Sequence, residues 1–149
     1  MKSPSSFPAP VPGLVIRYSY LWRSEHLAGR EEGRKDRPCA VVLSLVGADD
    51  KRQVVVLPIT HSPPSDDGLA FEIPHRTKRR LGLDDGQSWV IVSEANLFSW
   101  PGPDLRPAVN GDLTTIVHGL LPDSLFHKIR DRFVATLRER RARLVQRTS

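Results

Sequence analysis

Two apolar runs, residues 39–46 and 54–59, are joined by a short polar connection whose turn is Gly47-Ala48-Asp49-Asp50-Lys51. Valine, leucine and isoleucine dominate both. Their branched side chains suit a pleated strand better than a helix, and the short Gly/Asp turn predicts an antiparallel hairpin. A parallel pair would need a crossover of a dozen or more residues, and none lies between these runs. Pro38 ends the segment before the first strand, and Pro58 suits the terminus of the second. The hairpin therefore commits the chain to a β-rich fold rather than a parallel α/β sheet.

The neighbouring segments extend this reading. Residues 14–20, opened by Gly13, carry β-branched and aromatic side chains and predict a strand. Residues 69–73 predict a short strand ended by Pro74, and residues 88–93 another central one. Residues 98–107 hold Pro101, Pro103 and Pro107 and are expected to be irregular or an edge. Residues 114–118 predict a last short strand. A short helix is expected over residues 75–83, and a longer one is opened by Pro122 and Asp123. In the longer helix Leu125, Ile129, Phe133 and Leu137 recur every four residues, with Phe126 and Val134 beside them. That stripe docks on a core. The expected architecture is a small antiparallel β-barrel with helices, closed by a C-terminal docking helix.

At 149 residues the chain makes one domain. Its 39% hydrophobic and 26% charged residues place it among globular chains and away from the disordered class. Residues 1–12 are Pro/Ser-rich and expected to form a loose arm, residues 13–140 the domain, and residues 141–149 a projecting basic tail. Residues 23–37 read as a long charged loop whose acids and bases lie on the surface. The apolar runs are too short to span a bilayer, and the opening residues lack the apolar core of a signal peptide. A cytoplasmic, unanchored protein is expected. The lone cysteine, Cys39, excludes an intramolecular disulfide and a cysteine-based zinc site, and reads as a small buried hydrophobe.

The formal charge is +5. Residues 128–149 hold eight basic and two acidic side chains, so that segment is +6 and the remainder −1. A basic balance fits a polyanionic partner such as nucleic acid, and it equally fits a solvated helix face with a tail. The dense cluster Arg76, Lys78, Arg79 and Arg80 carries the same two readings: an RNA grip or a solvated helix.

The five histidines are scattered with no metal-ligand spacing. Phosphate-cradling glycine motifs and the nucleophile elbow are absent. No metal and no cofactor is expected. What remains is polar chemistry at strand ends. A short-turn hairpin sets the start of one strand beside the end of its partner, so Arg37 and Thr60 are expected to meet at one rim. A permanent guanidinium beside a hydroxyl and backbone N–H groups receives a phosphate well. It would stabilise the dianionic transition state formed when a ribose 2′-hydroxyl attacks its own phosphodiester. The bland alternative is an arginine capping a loop and a threonine finishing a strand.

The stretch Arg37-Pro38-Cys39-Ala40-Val41-Val42-Leu43-Ser44, with Val56-Leu57-Pro58-Ile59-Thr60, Gly13-Leu14-Val15 and Ser24-Glu25-His26, resembles the PemK/MazF family of toxin ribonucleases. The resemblance covers about residues 13–137. It implies an SH3-like barrel, a homodimer, metal-free cleavage of single-stranded RNA, and a small acidic antitoxin as partner. It implies catalysis by Arg37 and Thr60, with Arg37 stabilising phosphorane charge and Thr60 binding a phosphate oxygen; Glu25 falls near a family loop acid. Glu94-Ala95-Asn96 stands where many members carry Asp-Gln, and the loop before Arg37 is long.

His61, next to Thr60, is a candidate proton donor to the leaving 5′-oxygen or a solvent-facing side chain. Candidate RNA contacts are Arg34, Lys35, Ser62, Asn96 and Trp100. Trp100 and Phe98 suit base stacking, or cover of the core or a dimer seam. The competing function is a barrel that binds nucleic acid or a protein partner and cleaves nothing.

Overall fold

The computed structural model describes residues 7–30, 33, 35–47, 51–139 and 142–147. Its strands are β1 (Leu14–Tyr18), β2 (Arg37–Val46), β3 (Arg52–Thr60), β4 (Ala70–Glu72), β5 (Trp89–Ile91), β6 (Glu94–Trp100), β7 (Val117–Leu120) and β8 (Arg143–Gln146). The helices are α1 (Arg23–Leu27), α2 (His75–Arg80) and α3 (Asp123–Arg138). The fold is mainly antiparallel β with a C-terminal helix. Neighbouring strands run β4-β5-β3-β2-β1-β7, and β6 pairs with β3 and β8. The ladder has open ends at β4 and β7.

The hairpin is the centre of the sheet. Its ladder pairs Cys39 with Pro58 and Val41 with Val56, then slips between Val41 and Leu43, a bulge that bends the strand. Successive side chains point to opposite faces, and both faces are covered. Val15, Ala40, Val42, Val55, Leu57 and Ile59 face a core completed by Phe126, Ile129 and Phe133 of α3. Leu14, Ile16, Tyr18, Cys39, Val41, Val54 and Val56 face a second core with Phe98, Leu105 and Ile116. Burial on both sides explains why the hairpin strands read as continuous apolar runs. Each large side chain so buried contributes about 1.5–3 kcal/mol.

The α3 stripe docks as expected, and Thr136 joins it by donating its hydroxyl to the Val92 carbonyl at 2.9 Å. Several expectations are corrected. Pro58 lies inside β3, not at its end. It falls where the strand changes partners, from β6 up to Val56 to β5 from Ile59, so its missing N–H costs little there. Residues 98–100 are not irregular: they end β6 in register with β3. Residues 113–116 form a 3-10 turn, and the strand starts only at Val117.

The described part of the N-terminal arm is not loose, because Phe7 packs against the second core and Pro10 is buried. The described part of the basic tail, residues 142–147, does not project either. Ala142 and Val145 are buried, and β8 pairs in parallel with β6, Glu94 to Arg143 through Leu97 to Gln146. Arginine-rich composition concealed a four-residue strand. Among the described residues no helix is long and apolar enough to cross a membrane.

Candidate functional site

The hairpin register holds its offset from Val41–Val56 to Cys39–Pro58. Continued two places, it sets Arg37 opposite Thr60 at the rim. Both line one cleft of about 380 Å³, with Trp22, Lys35, His61, Ser62, Pro63, Pro64, Ile91, Ser93 and Glu94. A second cleft of about 470 Å³ adjoins it and shares Trp22, Lys35 and Arg37; its other walls are Ser24, Glu25, Ala28 and Arg30.

Arg37 is half-buried, and its guanidinium sits 4.9 Å over the Trp22 ring, a cation–π contact. Its Nε is buried without a hydrogen-bond partner, and Arg37 makes no ion pair among the described residues. The charge is thus desolvated on the protein side and left uncompensated toward the cleft. Thr60 Oγ1 accepts the Ser62 N–H at 3.2 Å, which leaves its own proton to donate.

Trp22 is held by the chain around it. Asn96 clamps the preceding residue, accepting the Leu21 N–H at 2.9 Å and donating to its carbonyl at 2.8 Å. Glu25 accepts the Trp22 N–H at 3.1 Å, and its other oxygen lies 3.7 Å from Arg30 Nε. Gly33 packs so closely here that an added Cβ would stand 2.0 Å from the Tyr20 carbonyl oxygen. Its role is close approach, not the flexibility its residue type suggests.

Glu94 opens β6 in the cleft wall. Its Oε1 accepts both the Tyr20 hydroxyl at 3.0 Å and the Arg23 N–H at 2.9 Å. Its Oε2 has no partner among the described residues. Burial holds the Glu94 carboxyl above the usual glutamate range, against the pull of the Arg23 N–H and the Tyr20 hydroxyl. Burial and the adjacent Glu94 push Tyr20 well up, so its hydroxyl keeps the proton it donates. Burial also pushes the Cys39 thiol up, as expected of an inert buried cysteine.

The sequence candidates divide accordingly. Arg37, Lys35, Thr60, His61 and Ser62 meet in one cleft. Glu25 does not join them: it is buried, lines the second cleft and braces α1, contrary to the expectation that the acids of residues 23–37 stay on the surface. His61 reaches the cleft with both ring nitrogens engaged. Its Nε2 lies 2.6 Å from Asp84 Oδ2 and its Nδ1 3.0 Å from the Gln87 carbonyl, so donation to a leaving group is disfavoured.

Asn96 is fully buried and cannot contact RNA; its amide is spent on Leu21 and on Arg147 Nη1 at 3.0 Å. Trp100 lies at the far end of β6, across from Arg52, with its ring beside Phe98. It belongs to the second core, not the cleft. Arg34 lies outside the described residues. Lys78 leaves the basic cluster, being buried and bonded to Asp84 Oδ1 at 3.0 Å and to the Gly86 carbonyl. None of the described basic residues of 128–149 lines either cleft.

Sequence reasoning missed Trp22 and Glu94. An acid set between Val92 and Ala95 in an apolar strand was the available signal, since carboxylates are seldom placed there without a role. No model of a known protein family matches this chain, and no curated protein does.

Proposed function

We propose that the protein is a metal-independent endoribonuclease that cuts single-stranded RNA, of the PemK/MazF type, acting as the toxin of a toxin–antitoxin pair. The observation that carries this reading is the meeting of Arg37, Thr60 and Glu94 in one cleft. The bent hairpin at the sheet centre is compatible with an SH3-like barrel, and a homodimer and an acidic antitoxin belong to the same reading.

Glu94 Oε2 takes the proton of a ribose 2′-hydroxyl. The 2′-oxygen bonds to phosphorus, the bond to the 5′-oxygen breaks, and the departing oxygen takes a proton from water. Arg37 and the Thr60 hydroxyl hold the non-bridging oxygens as charge develops on them. The products are a 2′,3′-cyclic phosphate and a 5′-hydroxyl.

The test is incubation of the purified protein with mixed RNA in EDTA, followed by mapping of the ends. Cyclic phosphate and 5′-hydroxyl ends are expected. Salt-sensitive retention of RNA with no cutting would replace this reading with the non-cleaving module.

A pH profile follows from Glu94. A base must be ionised, and burial raises the pH at which Glu94 ionises. Cleavage is therefore expected to climb with pH across an interval above 4.5, the usual glutamate value, and then level off. Stability runs the other way. The fold favours the protonated carboxyl, so that contribution is fully present below pH 4.5 and lost as pH rises through the folded-state value. Glu94→Gln is expected to flatten the climb; a variant that keeps it removes Glu94 from the base role.

A further inference from the structure

Trp89 stands across the β3–β5 ladder from Thr60. Cross-strand partners project from the same face with Cβ atoms roughly 4.5–5.5 Å apart, so this indole lies beside the hydroxyl that the proposed reaction uses. It also forms a wall of a third concavity, about 410 Å³, with Asp84, Gly86 and Gln87. That concavity shares His61 and Pro63 with the central cleft, so the two adjoin.

The three tryptophans differ in what their rings touch. Trp22 carries Arg37 and meets Tyr20 edge-on at 5.1 Å, and Trp100 lies beside Phe98. Trp89, half-buried, has no aromatic or cationic partner among the described residues. Its surroundings are fixed all the same. Buried Lys78 grips Asp84 and the Gly86 carbonyl, Asp84 grips His61, and His61 meets the Gln87 carbonyl. A bare indole in a braced frame, opening onto a phosphate-receiving cleft, is pre-organised for a flat ligand.

We propose that Trp89 is the stacking platform for an unpaired nucleobase adjoining the scissile phosphate, seated in the concavity that Trp89 forms with Pro63, His61 and Gln87. This rests on the ribonuclease reading above and names its substrate more closely. The strand must be single, because a base locked in a duplex has no free face to offer. Stacking accepts any base, so Trp89 supplies affinity without dictating sequence. The role assigned by sequence to Trp100 passes to Trp89.

The probe is a 2′-O-methyl RNA oligonucleotide built around a cleavage site mapped in EDTA, with a series carrying one abasic residue at each position in turn. Trp89→Leu is expected to bind the intact oligonucleotide about tenfold more weakly, and Trp89→Phe within about threefold of the native protein. The native protein is expected to lose about tenfold at one abasic position next to the scissile linkage, and Trp89→Leu to lose nothing there. Equal binding by Trp89→Leu and the native protein, or equal abasic losses in both, overturns the proposal while leaving the ribonuclease reading intact. If the native protein neither cuts nor binds RNA, both fall. Should Trp89→Leu fail to fold, the Trp22→Phe/Trp100→Phe protein leaves Trp89 as its sole tryptophan. Its emission is expected to be quenched by the oligonucleotide, and unchanged emission overturns the proposal.

Discussion

Arg37→Ala is expected to lower the rate of RNA cleavage in EDTA by about 10²–10³ while leaving the fold intact, the loss typical when one donor to a developing oxyanion is removed. The guanidinium lies over Trp22 and makes no ion pair among the described residues. Its removal therefore strands no buried carboxylate, and thermal unfolding should shift little. Arg37→Lys keeps the charge but loses the planar fork and the stacked face, so it should recover only part of the rate. In a bacterial host the native protein should arrest growth and Arg37→Ala should not. Wild-type rates from Arg37→Ala would remove Arg37 from the reaction and leave Lys35 as the other cation of the cleft.

The second large effect is expected at a residue that does not line the cleft. Arg147 is 5% exposed. It donates to the Ser19 carbonyl at 2.7 Å, Asn96 Oδ1 at 3.0 Å and the Tyr18 hydroxyl at 3.3 Å, and pairs with Asp104 Oδ2 at 2.9 Å. Arg147→Ala leaves Asp104 nearly buried, with Arg106 at 3.8 Å as a weaker cation. Breaking such a pair from one side costs about 3–5 kcal/mol, a large share of a typical domain's 5–15 kcal/mol. Urea unfolding measures it. The double variant Arg147→Met/Asp104→Asn should recover part of the loss, because no charge is then stranded. A cost under about 1 kcal/mol for Arg147→Ala would show that water reaches Asp104 and that the network is not sealed.

The meeting of Arg37 and Thr60 was legible because its geometry is local. A short turn and an unbroken alternation near the rim tie the start of one strand to the end of the next, so Arg37 and Thr60 could be placed together without knowing the rest of the fold. The other walls come from β5, β6 and α1, which reach the site through pairings dozens of residues apart. Nothing near Trp89 in sequence says that Thr60 lies across from it. Asn96 looked like a surface polar residue until Leu21 and Arg147 closed around it. The prolines beside Trp100 predicted an irregular or edge segment, whereas β6 stays in register with β3 and packs Trp100, half-buried, beside Phe98. The C-terminal arginines suggested solvent, but pairing with β6 decides where a backbone goes, and Arg147 is as buried as many apolar side chains.

The Arg147 network also makes the cleft depend on β8. Trp22 is steadied through Leu21 and Asn96 by Arg147, a connection of long range in sequence. A chain cut before residue 142 would lack both β8 and Arg147, so Trp22 would lose the brace that sets it in the cleft.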